Sequence, residues 1–189
     1  MSFTESPIWI GLGRCQSAIL VVLFADFVSG LVHWAIDKYT HVETPFIGRL
    51  VACANVEHHR NPRAFVRRTW WQSSWDLVVF SLLFVVVCWW TKTLSWQLAF
   101  FASLLANVNQ IHKWTHRTPS ENGSFITILQ RMRLVQSRRH HAQHHRGNAQ
   151  TRFCVLTDFV NPLLDAVSFW QMLEAIIRKV SGFSPREVV

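Results

Sequence analysis

A chain of 189 residues, half of them hydrophobic and with a formal charge of +8, is long enough for one domain with a real core. A basic balance in a soluble domain usually points to nucleic acid, but ten tryptophans and fourteen phenylalanines against one tyrosine point to a bilayer, where indole is enriched at the water boundary. No nucleic-acid partner is expected, and Cys15, Cys53, Cys88 and Cys154, far apart and without a C-x-x-C, argue against a disulfide framework or a thiolate zinc site.

In chain order, the opening MSFTESPIWIGLG lacks a basic stretch ahead of its apolar run, so no cleavable secretory signal is expected. Residues 15–37 then form an apolar stretch long enough to cross a hydrocarbon core of ~30 Å. Residues 75–90 and 94–111 are two more, joined only by Thr-Lys-Thr, and so predict an antiparallel hairpin. Trp70, Trp71 and Trp75 mark one end of that hairpin, and Trp89, Trp90 and Trp96 the other. Trp114 returns to the first level, which gives two aromatic belts. Residues 125–136 read as an amphipathic segment lying in the interface. The apolar run 153–173 is interrupted by Asp158, Asn161, Pro162 and Asp165, and is expected to be a fourth span, a re-entrant segment or an interfacial one. No repeat or linker divides the chain. The expectation is a single domain over 1–189: an all-α integral membrane helical bundle of three to four transmembrane helices.

Charge assigns the sides. The 38–74 loop carries Lys38, Arg49, Arg60, Arg63, Arg67 and Arg68, and eleven Lys or Arg follow residue 111, against Arg14 and Lys92 on the opposite side. The positive-inside rule therefore places the 38–74 loop and the C-terminal part at the cytoplasmic face, of a bacterial inner membrane or the endoplasmic reticulum. All ten histidines fall on that side: His33 near the end of the first span, His58 and His59 in the loop, His112 and His116 at the end of the third span, and His140, His141, His144 and His145 beyond it. His41 fits no cluster and reads as surface.

On a helix, residues four apart share a face, with Cβ atoms ~5–6 Å apart. The pairs His112/His116, His140/His144, His141/His145 and His33/Asp37 have that spacing, and an i,i+4 histidine pair can chelate one ion. Each cluster alone has an ordinary reading, as interfacial histidine, surface polarity or a phosphate-contacting loop. Gathered on one side of a membrane, they read as a metal site, and nine imidazoles exceed the demand of one zinc, so two metals are expected. Imidazole suits zinc, copper, iron and nickel alike. Iron fits oxidation of an unactivated chain carbon with O2, whereas zinc would fit hydrolysis of a head-group bond. An iron hydroxylase and a non-catalytic metal-binding membrane regulator remain alternatives. A transporter fits less well, because its ligands should run through the bilayer. Asp26, Ser29, Asn107, Asn109 and Gln110 are polar positions within or ending the spans, expected to face the bundle interior. Asp26 and Asn109 are candidates to orient ligand histidines from behind. Arg138, Arg139 and Arg146 are candidates to hold a lipid phosphate, which a guanidinium matches in shape.

The stretches ADFVSGLVHWAID, EHHRNPRA, NQIHKWTH, RRHHAQHH and FCVLTDFVN, with the later FW and LE, run in order across roughly residues 25 to 174. In these stretches the chain resembles the Kua, or plasmanylethanolamine desaturase, family of membrane lipid desaturases. The resemblance implies a di-iron desaturase that uses O2 and reducing electrons, with His33, Asp37, His58, His59, His112, His116, His140, His141, His144 and His145 on the family's motif positions. It implies a phospholipid substrate, desaturated near the glycerol backbone. In some members an alkyl ether becomes the vinyl ether of a plasmalogen, while in a plant member a trans double bond is set near the carboxyl end of an acyl chain. It also implies an electron donor such as cytochrome b5 or a ferredoxin, since no Fe–S or flavin motif is present. Two positions depart from the family pattern: Arg68 and Ala149 stand where it carries histidine.

Overall fold

The computed structural model describes residues 7–146 and 149–186, and these form helices with no strand among them. Helix α1 (Pro7–Tyr39) has 33 residues and is ~50 Å long at 1.5 Å per residue, more than a bilayer core needs. A helix of that length would carry its last turns past an apolar slab. After a π-helical turn (Gly48–Ala52) come two short helices, α2 (Cys53–Arg60) and α3 (Pro62–Arg67). Helix α4 (Trp70–Trp90) starts on a reciprocal cap in which the Thr69 hydroxyl accepts from Gln72 N–H and the Gln72 side chain accepts from Thr69 N–H. At its far end Cys88 O accepts from both Thr93 N–H and Leu94 N–H, which folds the chain back. Helix α5 (Trp96–His116) then begins on the Ser95 hydroxyl. The hairpin expected from 75–90 and 94–111 is therefore present, though Leu94 and Ser95 belong to its turn.

Among the described residues two helices, Ile10–Tyr39 and Trp70–Trp90, are long and apolar enough to cross a membrane. Their outward side chains are apolar and uncovered, among them Leu20, Phe24, Leu83 and Val87. Helix α5 has the same 21-residue length as α4, but Asn107, Asn109, Gln110, His112 and Lys113 lower its hydropathy. It lies along α4 and against α1, with Val108 and Ile111 packed on Ala25 and on Val155 and Leu156. The tryptophans expected at the two ends of the hairpin are exposed there, Trp90 most of all.

One face of α1 is polar throughout its second half: Asp26, Ser29, His33 and Asp37 are all buried, with Gly30 beside them. An extended segment, residues 153–157, is laid against this face. Its N–H groups have no helix to satisfy them, and α1 does so instead. Leu156 N–H donates to Asp26 Oδ1 (2.8 Å), Thr157 N–H to Asp26 Oδ2 (3.2 Å) and Val155 N–H to Ser29 Oγ (3.2 Å). Gly30 permits the approach: a Cβ there would stand 2.5 Å from Cys154 Sγ and 3.1 Å from Cys154 N. The run 153–173 is thus not one membrane helix. It is an extended segment followed by α8 (Val160–Ala166) and the start of α9 (Phe169–Ser181), broken at Ser168, whose φ is +51°. Trp170 packs with Trp34 and Phe153 in a core beneath α9. The amphipathic stretch 125–136 covers the second half of α6 (Pro119–Arg131, kinked at Gly123) and the turn after it, and exposes Phe125, Ile128, Met132 and Leu134.

Candidate metal centre

Four helices deliver side chains to one end of the bundle. The last turns of α1 bring His33 and Asp37, α2 brings His58 and His59, the end of α5 brings His112 and His116, and α7 (Arg138–His144) with the residue after it brings His141, His144 and His145. The donors fall into two sets, each with ligand atoms within 4.8 Å of one another: His58, His112, His116, His141 and His145 in one, and His33, Asp37, His59 and His144 in the other. Neighbours on α2 part company because successive helical residues project about 100° apart. For the same reason His141 and His145 join one set while His144 joins the other. The sets are contiguous: the His33 and His112 rings are 5.5 Å apart and the His58 and His59 rings 5.5 Å.

In the five-histidine set the Nε2 atoms converge. His112 and His141 stand 2.8 Å apart, His141 and His116 3.0 Å, His141 and His145 3.0 Å, and His116 and His112 3.3 Å. Nitrogens 2.0–2.1 Å from a shared ion lie about 3.0 Å apart at right angles and about 3.4 Å apart at the tetrahedral angle. A single imidazole nitrogen cannot serve three like partners by hydrogen bonding, so a cation accounts for this crowding better than protons do. Buried polar atoms without hydrogen-bond partners support the same fit: both ring nitrogens of His58, Nδ1 of His141, Nε2 of His33 and of His144, and Oδ2 of Asp37. Burial first, and then the charge that neighbouring imidazoles would carry, holds His58, His141 and His145 below the usual histidine range. They are therefore neutral at physiological pH, the state a metal requires.

The second set is held more firmly. Asp37, fully buried, accepts from Asn55 Nδ2 (2.7 Å) through Oδ1, which also faces His59 Nε2 at 3.1 Å. Its Oδ2 lies 3.2 Å from His144 Nε2 and 3.6 Å from His33 Nε2, unaligned for hydrogen bonds and open to an ion. His33 Nδ1 is bonded to Phe153 O (3.0 Å) and His144 Nδ1 to Thr151 O (2.8 Å). Each bond fixes the ring and turns Nε2 inward. Phe153 also stacks edge-on against His144, and Phe65 packs on His58 and His112.

Nine of the ten expected ligand positions thus meet, and His140 does not. Its ring turns to Asn161, Arg152 and Asp158, outside both sets. Asp26 and Asn109 do not reach a histidine among the described residues: Asp26 holds the backbone of Leu156 and Thr157, and Asn109 donates to Ser73 O. The groups behind the ligands are Asn55 and the carbonyls of Thr151 and Phe153. Asn55 was legible in principle, four residues before His59 on a helix, but carbonyls leave no mark in a sequence. Arg138, Arg139 and Arg146 are exposed beside the cluster, and His41 is exposed away from it. Of the departures from the family pattern, Arg68 is exposed and its carbonyl accepts from the buried Lys113 (3.1 Å), while Ala149 is buried at φ +47°.

The family model described as a lipid desaturase domain matches residues 22–188. The chain is 32% identical over 194 residues to plasmanylethanolamine desaturase 1 of Mus musculus, covering 93% of this chain and 71% of that one. It is 30% identical over 189 residues to plasmanylethanolamine desaturase of Myxococcus xanthus, with 95% and 66% covered. To the chloroplastic fatty acid desaturase 4 of Arabidopsis thaliana it is 30% identical over 167 residues, with 87% and 51% covered. No solved structure matches the chain. Both donor sets lie inside the matched span, and the chain belongs to the lipid desaturase family.

Proposed function

We propose that this membrane lipid desaturase is an O2-dependent di-iron oxidoreductase that dehydrogenates a phospholipid alkyl or acyl chain close to the glycerol backbone. The observation that carries the reading is the gathering of nine buried donors, from four separate parts of the chain, into two adjoining sets. Iron rather than zinc follows from the reaction: removing hydrogen from an unactivated carbon needs a redox-active metal, and zinc has none of that chemistry. Bound iron would supply oxygen activation. Two electrons from a carrier such as cytochrome b5 or a ferredoxin, with two protons, balance the conversion of O2 and a saturated carbon pair to two waters and an alkene.

The chain's own part is to hold and seclude. His33 and His144, anchored through Nδ1, present Nε2 without further adjustment. Asp37 contributes a negative charge to an otherwise neutral donor collection. Phe65 and Phe153 pack on the histidine rings and keep water from that side. The exposed Arg138, Arg139 and Arg146 are suited to receive a lipid phosphate. The two aromatic levels and the basic loops favour a multi-pass protein with the donor end at the cytoplasmic face.

The likeness to two proteins named plasmanylethanolamine desaturase favours an alkyl ether, giving the vinyl ether of a plasmalogen. The likeness to a fatty acid desaturase supports an acyl chain as the second reading. Lipid profiling of a host that lacks ether-lipid desaturation, with and without this protein, separates them: an acid-labile vinyl ether appears in the first case, an unsaturated acyl chain in the second. Two irons per purified chain are expected. Stoichiometric zinc without iron, or no new unsaturation in either lipid pool, overturns the reading.

A further inference from the structure

His140 has the spacing of a ligand, four residues before His144, and it is buried. Its nitrogens are nevertheless spoken for. Asn161, fully buried, accepts from Cys154 N–H through Oδ1 (2.9 Å) and donates from Nδ2 to Cys154 O (2.8 Å). Because a backbone N–H can only donate, these two bonds fix which end of the amide is nitrogen. The remaining N–H of Nδ2 then points to His140 Nε2 at 3.1 Å, so Nε2 is an acceptor and its lone pair is occupied. The other ring nitrogen, Nδ1, faces the Arg152 guanidinium at 3.3 Å and Asp158 Oδ1 at 3.8 Å. Neither nitrogen is open to a cation.

What this arrangement holds is the backbone on which the carboxylate-bearing set depends. Cys154 stands between Phe153, whose carbonyl aims His33, and Val155, which is bonded to Ser29. Thr151, whose carbonyl aims His144, lies three residues earlier. The start of α7 is docked on the same segment: Gln136 N–H donates to Leu156 O (2.7 Å), the Gln136 side chain to Cys154 O (2.6 Å), and Ser137 N–H to Asp158 Oδ1 (2.9 Å). The His140–Asn161 bond links α7 to this segment from the ring side, one residue from His141 and one turn from His144.

Resting on the metal-centre reading above, we propose that His140 is a positioning residue and not a ligand. With Asn161 it holds the 151–154 backbone, whose carbonyls orient His33 and His144 toward the four-donor set. Loss of the acceptor at His140 leaves a buried amide N–H unpaired and loosens one set of donors, not both.

The test compares His140→Gln, His140→Leu and His141→Gln with the wild type, each purified as the metal-loaded protein in detergent. Metal per chain is measured by mass spectrometry, and the individual sites by Mössbauer spectroscopy after growth on isotopically enriched iron. Glutamine offers an oxygen to Asn161, so His140→Gln should keep the wild-type metal content and both spectral components. His140→Leu should fall from about two metals per chain to about one, losing a single component, while His141→Gln should be depleted. If His140→Gln loses metal as His141→Gln does, His140 is a ligand and the proposal is overturned. Full metal content and an unchanged spectrum in His140→Leu overturn it equally. Should the leucine variant fail to fold, the two glutamine variants still decide the question. A wild-type protein without two metals would count against the metal centre itself, a separate failure.

Discussion

The two donor sets are neighbours built on different principles. The four-donor set is braced from outside: Asn55 bonds the carboxylate, and two backbone carbonyls grip His33 and His144. The five-histidine set is braced mostly by itself, with ring against ring and with both nitrogens of His58 and Nδ1 of His141 lacking partners. One set has fewer ligands but a charge and a scaffold, while the other has more ligands but little behind them. Ligand number and ligand support are thus separate ways to secure a metal, and adjoining sites can use one each.

The sharpest way to break this contrast is Asp37→Ala. It removes the one carboxylate among the nine donors and leaves His59 and His144 without their partner. We expect loss of the metal in that set and a fall in desaturation of more than about a hundredfold, read from metal content and product yield. An Asp37→Ala protein that keeps both metals would remove the carboxylate's claim to importance. His145→Gln tests the opposite half: unlike His141, whose Nε2 lies within 3.0 Å of three others, His145 comes that close only to His141. The four imidazoles left should still hold an ion, so both metals should stay and activity should drop by only about tenfold. A loss as deep as that of Asp37→Ala would mean that the extra histidine is no reserve.

Gly30→Ala touches no donor. Its new Cβ would press on Cys154 Sγ at 2.5 Å and on Cys154 N and Cα at 3.1 and 3.2 Å. Overpacking of this kind costs about 1–3 kcal/mol, visible as a lowered melting temperature. Any metal lost should come from the four-donor set, which leans on Phe153 O. The smallest effect is that of pH on metal-free protein. His58, His141 and His145 are depressed below 6.5 by burial, with neighbouring imidazoles adding to it. Above that value they are neutral folded or unfolded; below it the unfolded chain binds protons that the folded one refuses. Thermal stability in detergent should therefore be flat above about pH 6.5 and decline steadily under it, and bound metal should leave the slope at least as steep, because a ligating imidazole takes up no proton.

Much of this was legible from the residues. Apolar runs bounded by tryptophan announce α4 and α5, since a bilayer leaves few other options for such stretches. The i,i+4 spacing at His112/His116, His141/His145 and His33/Asp37 marks real partners within one set. The same rule fails at His140/His144, because spacing gives a shared face and not what lies across from it; Asn161 and Arg152, distant in sequence, claim His140. It is silent on His58 and His59, where adjacency conceals that they serve different sets. The run 153–173 misleads for a related reason. Phe153, Val155, Leu156 and Trp170 are buried against α1, and the extended start has Asp26 and Ser29 as bonding partners that a membrane would not supply.

Near the other end of the described chain, Arg186 bonds the final carbonyls of α1: its Nε donates to Asp37 O (2.6 Å), its Nη2 to Ile36 O (3.4 Å) and its backbone N–H to Lys38 O (2.8 Å). The two ends of the described residues are therefore unequal as points of attachment. An affinity tag upstream of Pro7 stands some 26 helical residues from His33, roughly 40 Å away. A tag fused shortly after Arg186 hangs beside the aspartate that anchors the four-donor set. Preparations that carry the handle on that side should arrive poorer in metal than those that carry it upstream.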